Sequence, residues 1–324
     1  MKSTVQLQAL INDRLAKLAL DGKPTNLYHP ISYMLSLGAK RFRPLLVLLT
    51  AQMRGGTVAD CVAPAMGIEV FHNFTLLHDD IMDAAPLRRG HPSVHEKWNS
   101  NIAILSGDAM FVRSYQLICQ IHSDQLILAL TRFNDTALEV CEGQQWDMDF
   151  EDLPAVSERD YLEMIRLKTA VLLGFSMELG AMMAGFNHVE QRQLYLVGES
   201  FGLGFQLMDD LLDVYGDQQK VGKQVGGDII ANKKTYLMIA AYDRADSRQL
   251  SILRKWMEAK DFDPAHKVAS VKKIYDDLDI PQLVKTKMED YFSEAFRLLK
   301  TVDCDPQALD IFLNFANELI QREK

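Results

Sequence analysis

Apolar residues recur along this chain at intervals of three and four through most of its length. In the stretch from Tyr161 to Phe175, the positions Tyr161, Met164, Ile165, Leu172 and Phe175 fall on a helical repeat, and Lys168 departs from it. Runs of alternating β-branched residues bounded by turn signals are nearly absent. None of the ten prolines lies between Pro92 and Pro154 or between Pro154 and Pro264, which leaves long stretches free of helix breakers. Helix starts are marked by Ser93-x-x-Glu96 and Asn187-x-x-Glu190, which read as capping boxes, and by Asp263-Pro264 and Asp305-Pro306. The pattern predicts an all-α protein of about ten or more helices, organised as one large helical domain over residues 1–324. There is no Gly/Ser linker, low-complexity tract or short-period repeat to divide it.

Composition narrows the functional classes. The chain has 324 residues, 48% hydrophobic and 24% charged, as expected of an ordinary globular protein. A formal net charge of −9 argues against a broad nucleic-acid surface, which needs an excess of Lys and Arg. The N-terminus reads as an amphipathic helix containing Asp13 and Arg14, not as a signal peptide. No uncharged apolar run approaches the roughly 18–20 residues that span a bilayer, so no membrane span is expected and the cytoplasm is the default compartment. Cys61, Cys119, Cys141 and Cys304 lack metal-binding spacing and are read as buried or partly buried reduced thiols.

Two acidic clusters carry the candidate chemistry. In Asp79-Asp80-Ile81-Met82-Asp83, residues i and i+4 share a helix face, so Asp79 and Asp83 point the same way and Asp80 flanks them. Like charges at this spacing repel, and the surroundings are apolar (Phe71, Phe74, Leu76, Leu77), so a compensating cation is needed. Hard oxygen ligands on a rigid helix suit Mg²⁺, which keeps waters and takes further ligands from substrate phosphates. Alone, the motif could be a solvated acidic face. Asp209-Asp210-Leu211-Leu212-Asp213 repeats it in another apolar helix, and two such accidents in one chain are improbable. Facing each other across a bundle, the clusters would clamp Mg²⁺ on one diphosphate. His78 is read as a packed residue, not a ligand.

Basic residues complete the pattern. Gly38-Ala39-Lys40-Arg41-Phe42-Arg43-Pro44 sets three cations in four positions beside a glycine, a compact anion cradle. After the second cluster, Gly222-Lys223, Gly226-Gly227-Asp228 and Lys233-Lys234-Thr235 suit closure over phosphates, although a plain glycine-rich turn would read the same way.

Taken in order, these motifs resemble the trans-isoprenyl diphosphate synthase family, which includes the farnesyl and geranylgeranyl diphosphate synthases. Arg88-Arg89-Gly90, Lys168-Thr169 and Phe205-Gln206 add to the resemblance. It implies an all-α bundle of the isoprenoid synthase type with a central active-site cavity, a homodimer, and Mg²⁺ as cofactor. It further implies condensation of isopentenyl diphosphate with an allylic diphosphate (dimethylallyl, geranyl or farnesyl) by ionisation, condensation and elimination. By the same resemblance Lys40, Arg43, His72 and Arg89 hold isopentenyl diphosphate. Asp79, Asp83 and Asp209 ligate Mg²⁺, supported by Asp80, Asp210 and Asp213. Arg88, Lys168, Lys223 and Lys233 contact the allylic diphosphate. Thr169 and Gln206 lie near the reacting carbons, and Gln144 and Asp147 line the pocket. Ala39 replaces a commoner glycine, and Leu237 replaces a proline frequent in bacterial members, which bears on how the local helix begins.

The chain-length expectation rests on helix geometry. Positions four and five before Asp79 lie roughly 6–7.5 Å down the helix, at Thr75 and Phe74. Small Thr75 lets the product pass, while Phe74, with Phe71 below, forms a floor. An aromatic at Phe74 resembles short-chain members of the family and a small residue at Thr75 those making geranylgeranyl diphosphate, so the resemblance implies a short-chain product, geranylgeranyl ahead of farnesyl diphosphate. Rival readings are a longer-chain polyprenyl synthase, a terpene cyclase, which has no use for a second anion cradle, and a non-catalytic synthase-like subunit, which typically loses acidic motifs that are intact here.

Overall fold

The computed structural model describes residues 1–18, 22–121, 124–216 and 226–322. The fold is all-α, as the periodicity predicts, with a single two-stranded ribbon among the described residues. Contacts divide the chain into two compact units. The first takes Met1–Thr136, Leu172–Leu196 and Thr301–Arg322, and the second takes Ala137–Val171 and Val197–Lys300.

The first unit opens with α1 (Thr4–Ala16), α2 (Thr25–Ser36), α3 (Phe42–Gln52) and α4 (Val58–Met82). A hairpin of β1 (Leu87–Arg88) and β2 (His91–Pro92) follows, then α5 (Val94–Lys97) and α6 (Ser100–Ile118). α4 is its spine: α3 and α6 both pack on it, and Ile68, Val70, Phe71 and Leu77 are buried. The close approach of α6 depends on Gly107, where a Cβ would come within 2.2 Å of Nε2 of His78. His78 is therefore a packed residue, with its Nε2 3.2 Å from the carbonyl of Ile104. α7 (Leu126–Asp152) and α10 (His188–Tyr215) each begin in the first unit and end in the second; α9 (Val171–Met183) lies almost wholly in the first.

In the second unit α8 (Glu158–Ile165) runs into a π-helical turn, Arg166–Ala170. Beyond residue 226 come α11 (Gly227–Ile230), α12 (Tyr236–Arg244), α13 (Ser247–Glu258), α14 (Pro264–Asp277) and α15 (Ile280–Leu299). Phe205 of α10 packs edge-on to Phe292 of α15 at 5.3 Å, and Phe201 meets Phe296 at 5.4 Å. Such aromatic pairs combine large apolar burial with a preferred geometry. The final helix, α16 (Pro306–Arg322), belongs to the first unit.

Most predicted helix starts are found. Asn187 accepts from the N–H of Glu190 at 3.0 Å while Glu190 Oε2 accepts from the N–H of Asn187 at 2.9 Å, a reciprocal capping box. Asp263 and Asp305 cap α14 and α16. Ser93 does not cap; its hydroxyl donates to the carbonyl of Ala85 at 2.6 Å and ties down the hairpin. The proline-free stretches are largely helical among the described residues, as expected, and Pro30 and Pro64 are also accommodated inside α2 and α4. Leu237 is fully buried at the start of α12, so this helix begins without a proline. Among the cysteines, Cys61 is buried and Cys304 half-buried, but Cys119 and Cys141 are exposed, against expectation.

Candidate active site

The first cluster lies in the last turn of α4, with Asp83 as C-cap. A helix C-terminus carries the negative end of the backbone dipole, so carboxylates there are doubly disfavoured unless a cation intervenes. The structure sorts the three. Asp80 is 1% exposed and gripped by Arg88, whose Nε stands 2.9 and 3.1 Å from its two oxygens. Burial raises its pKa, and the Arg88 hydrogen bonds oppose that rise. Asp79 is half-buried and Asp83 exposed, one turn apart on the outward side. Arg88 is thus committed to the cluster itself, with a weaker contact to Asp79 at 3.5 Å.

Arg88 is positioned by its hairpin. The two-residue loop Arg89-Gly90 has φ of 54° and 77°, the paired left-handed conformation of a tight hairpin turn that glycine makes accessible. Arg89 in turn donates from Nη1 to the carbonyl of Leu37 at 3.1 Å, reaching the basic loop.

In that loop Lys40 is exposed and Arg43 half-buried. Arg43 Nη1 lies 3.0 Å from Nε2 of His72 on α4. With Arg43 as donor, His72 accepts as a neutral imidazole. Its pKa is driven well below the usual value by burial and then by the guanidiniums of Arg43, Arg89, Arg88 and Arg41. Arg41 corrects the sequence reading. It is 5% exposed and turned inward, so the cradle is not three outward cations. Its Nη1 donates to Glu69 Oε1 at 2.7 Å, Nη2 to the Leu35 carbonyl at 2.7 Å and Nε to Asn12 Oδ1 at 3.0 Å.

Below the first cluster, Thr75 is half-buried and its hydroxyl donates to the carbonyl of His72 at 2.8 Å. Phe74 packs on Phe71 at 5.6 Å and on Phe111 of α6 at 5.2 Å. Phe71 meets Phe133 at 5.1 Å, and Tyr115 closes against both Phe111 and Phe133. The sequence reading found two rings of this layer and missed Phe111, whose helix it did not associate with α4.

The second cluster repeats the sorting near the C-terminus of α10. Asp209 is exposed, Asp210 is 3% exposed, and Asp213 is half-buried. Asp210 accepts from the phenol of Tyr161 and from Gln206 Nε2 at 3.2 Å. Burial, then the charge of Asp228, pushes its pKa up to about 8, while the bonds from Tyr161 and Gln206 hold it down. Asp213 Oδ2 accepts from the N–H of Asp228 at 3.0 Å, tying α10 to α11.

A cavity of about 120 Å³ opens beside this cluster, lined by Asp147, Lys168, Thr169, Gln206, Asp210 and Lys233 among others. Lys168 Nζ is 2.7 Å from Asp147 Oδ2, and the Thr169 hydroxyl is 3.1 Å from Gln206 Oε1. Lys168 and Thr169 both sit in the π-helical turn, a wound-in extra residue of the kind that recurs at functional sites. α7 accommodates this turn through Gly143, where a Cβ would come within 2.2 Å of the backbone nitrogen of Lys168. Gln144 is half-buried, and its Nε2 has no hydrogen-bond partner. Lys223, with Gly222, lies outside the described residues.

Among the described residues, no three ligating side chains converge as a ready-made metal centre. Each cluster instead leaves its first and last carboxylates at least partly exposed, hard oxygen donors of the kind that suit Mg²⁺ completed by water and phosphate oxygens.

The sequence profile of the Polyprenyl synthetase family matches residues 24–278. The chain belongs to this family. It is therefore a prenyltransferase. It is 32% identical to the geranylgeranyl pyrophosphate synthase of Geoglobus acetivorans, over 97% of this chain and 96% of that one. It is 35% identical to the geranylfarnesyl diphosphate synthase of Natronomonas pharaonis, over 72% and 74%. A crystal structure of a geranylgeranyl pyrophosphate synthase superposes with a TM-score of 0.95 at 40% identity, covering 100% of both chains.

Proposed function

We propose that this polyprenyl synthetase condenses isopentenyl diphosphate with a dimethylallyl, geranyl or farnesyl diphosphate primer, giving a short-chain product, geranylgeranyl diphosphate ahead of farnesyl diphosphate. The observation that carries the reading is the shared sorting of the acidic clusters. Each buries its second aspartate and leaves the first and last more exposed, near a helix end where negative charge is disfavoured and a bound cation would stabilise it.

In this reading Asp79 and Asp83, and Asp209 and Asp213, hold Mg²⁺; Asp80 and Asp210 fix their helices' partners. Bound Mg²⁺ supplies charge neutralisation at the departing diphosphate. Arg88, Lys168, Lys223 and Lys233 contact the allylic diphosphate, Arg88 from its place on Asp80. Lys40, Arg43, His72 and Arg89 hold isopentenyl diphosphate, whose double bond attacks the allylic carbon. Thr169 and Gln206 turn oxygen dipoles toward positive charge on that carbon, an arrangement whose donors and acceptors are in place before reaction. Gln144 and Asp147 complete the polar lining. Phe74, Phe111 and Phe71 end the product channel.

The family profile takes in residues of both units, which supports one catalytic domain over residues 1–324. A homodimer is proposed from the exposed apolar residues Ile104, Leu105 and Val112 on α6, which a second copy would cover. No helix among the described residues is long and apolar enough to cross a membrane. The cytoplasm is the proposed compartment, where the exposed free thiols of Cys119 and Cys141 stay reduced. The deciding experiment supplies labelled isopentenyl diphosphate, Mg²⁺ and each primer, then weighs the dephosphorylated product. No incorporation with any primer would overturn the proposal, and long polyprenyl chains would overturn the product assignment.

A further inference from the structure

Arg41 is the one cation of the basic loop that cannot meet a ligand, and its backbone is the least comfortable. As the N-cap of α3 it holds φ of 53°, a left-handed conformation that residues with a Cβ seldom adopt. Such a conformation persists where the surroundings over-determine it. Here the guanidinium does so, by joining three elements at once: Asn12 on α1, the Leu35 carbonyl on α2 and Glu69 on α4. Glu69 is 2% exposed and is itself held by Asn73 Nδ2 at 3.1 Å.

We propose that the buried Arg41–Glu69 pair is the positioning device of the isopentenyl diphosphate cradle, setting the register at which Arg43 meets His72. The inference rests on the assignment of Lys40, Arg43, His72 and Arg89 to that diphosphate. Its geometry is a two-point attachment. Glu69 and His72 are three residues apart on α4 and so share a face. Arg41, the N-cap of α3, and Arg43, its second residue, are two positions apart, and each docks on one of them, at 2.7 and 3.0 Å. The left-handed turn at Arg41 is what allows one to point inward while α3 carries the other along α4. Fixing the first contact fixes the second, because only the N-terminal residue of α3 lies between them.

The pair also sets the charge of the cradle. Glu69 neutralises Arg41 inside the protein, as Asp80 does Arg88, so the field at the loop surface comes from Lys40, Arg43 and Arg89. A plain structural ion pair would make a different prediction. Its loss would lower stability and degrade both substrates' kinetics together.

The test uses steady-state kinetics of the full chain with each substrate varied in turn, alongside thermal melts. Arg43→Ala is the reference for the cradle itself. The Arg41→Met/Glu69→Leu double variant removes the buried charges together, which spares the fold an uncompensated ion. It is expected to melt near the parent temperature. Its KM for isopentenyl diphosphate should rise on the order of tenfold, the scale of one lost charge-assisted contact, while the allylic KM stays within about twofold. Should the double variant fail to fold, Glu69→Gln, which keeps the side-chain shape, decides by the same selective rise in KM. Unchanged KM values, or equal rises for both substrates, overturn the inference provided that Arg43→Ala itself is selective. If Arg43→Ala is not selective, the cradle assignment is what has failed.

Discussion

Arg88 grips both oxygens of Asp80, at 2.9 and 3.1 Å from Nε, and reaches Asp79 only at 3.5 Å. Within one Asp-Asp-x-x-Asp motif the carboxylates therefore do different work. The second is a buried strut, and the first and last face outward. Tyr161 and Gln206 give Asp210 the same status in the other motif.

Substitutions should separate these roles. Asp79→Ala and Asp209→Ala are expected to lower kcat by several orders of magnitude and leave the melting temperature unchanged or slightly raised, since a repulsion is relieved. Asp80→Ala strands a mostly buried guanidinium and should cost about 3–5 kcal/mol of stability. Urea titrations beside rate measurements distinguish them. A folded Asp79→Ala enzyme with near-normal turnover would sink the metal assignment.

Metal dependence should appear without turnover. Mg²⁺ together with inorganic pyrophosphate is expected to raise the melting temperature, because a ligand that binds only the folded state stabilises it by mass action. The increment should vanish in Asp79→Ala and on chelation. An increment that survives in this variant would place the metal elsewhere.

Product length should follow the aromatic layer. Phe74→Ala removes a ring that touches Phe71 and Phe111, opening space for further five-carbon units. Phe111→Ala should act in the same direction, because its ring lies 5.2 Å from that of Phe74. Mass analysis of dephosphorylated products reads the shift. An unchanged distribution in both variants would mean the floor lies elsewhere.

His72 gives a pH signature. Its pKa is depressed in the folded state by burial and by the surrounding guanidiniums, while the unfolded chain titrates near about 6.5. Above that pH both states are neutral and the residue contributes nothing. As pH falls through it, the unfolded state takes up the proton first, so folded stability declines. His72→Gln should show a smaller loss of stability between about pH 7 and 5 than the parent. Equal losses, measured by urea unfolding, would refute a neutral His72.

The elements and the acidic motifs were legible because they rest on spacing. Helical repeats, caps such as Asn187-x-x-Glu190 and the i, i+4 aspartates follow from 3.6 residues per turn. The sorting within the first motif was also written in the chain: Glu69, Asn73, Leu77 and Asp80 form one stripe of α4, and all four are buried. What could not be read was any feature set by a partner distant in sequence. Arg41 turns inward because Glu69 lies 28 positions away, and Tyr161 reaches Asp210 across 49. The π-helical turn was foreshadowed only by Lys168 breaking the apolar repeat.

That turn and Gly143 behave as a lock and its ward. A bulge in one helix occupies the space that a missing side chain leaves in the other. Neither can change alone. A side chain at position 143 would strike backbone, and deleting one residue from 166–170 would leave a plain α-helical turn without the bulge that fills the space beside Gly143. The Lys168–Thr169 step is thus a two-helix unit, and a design that borrows it must carry the glycine with it.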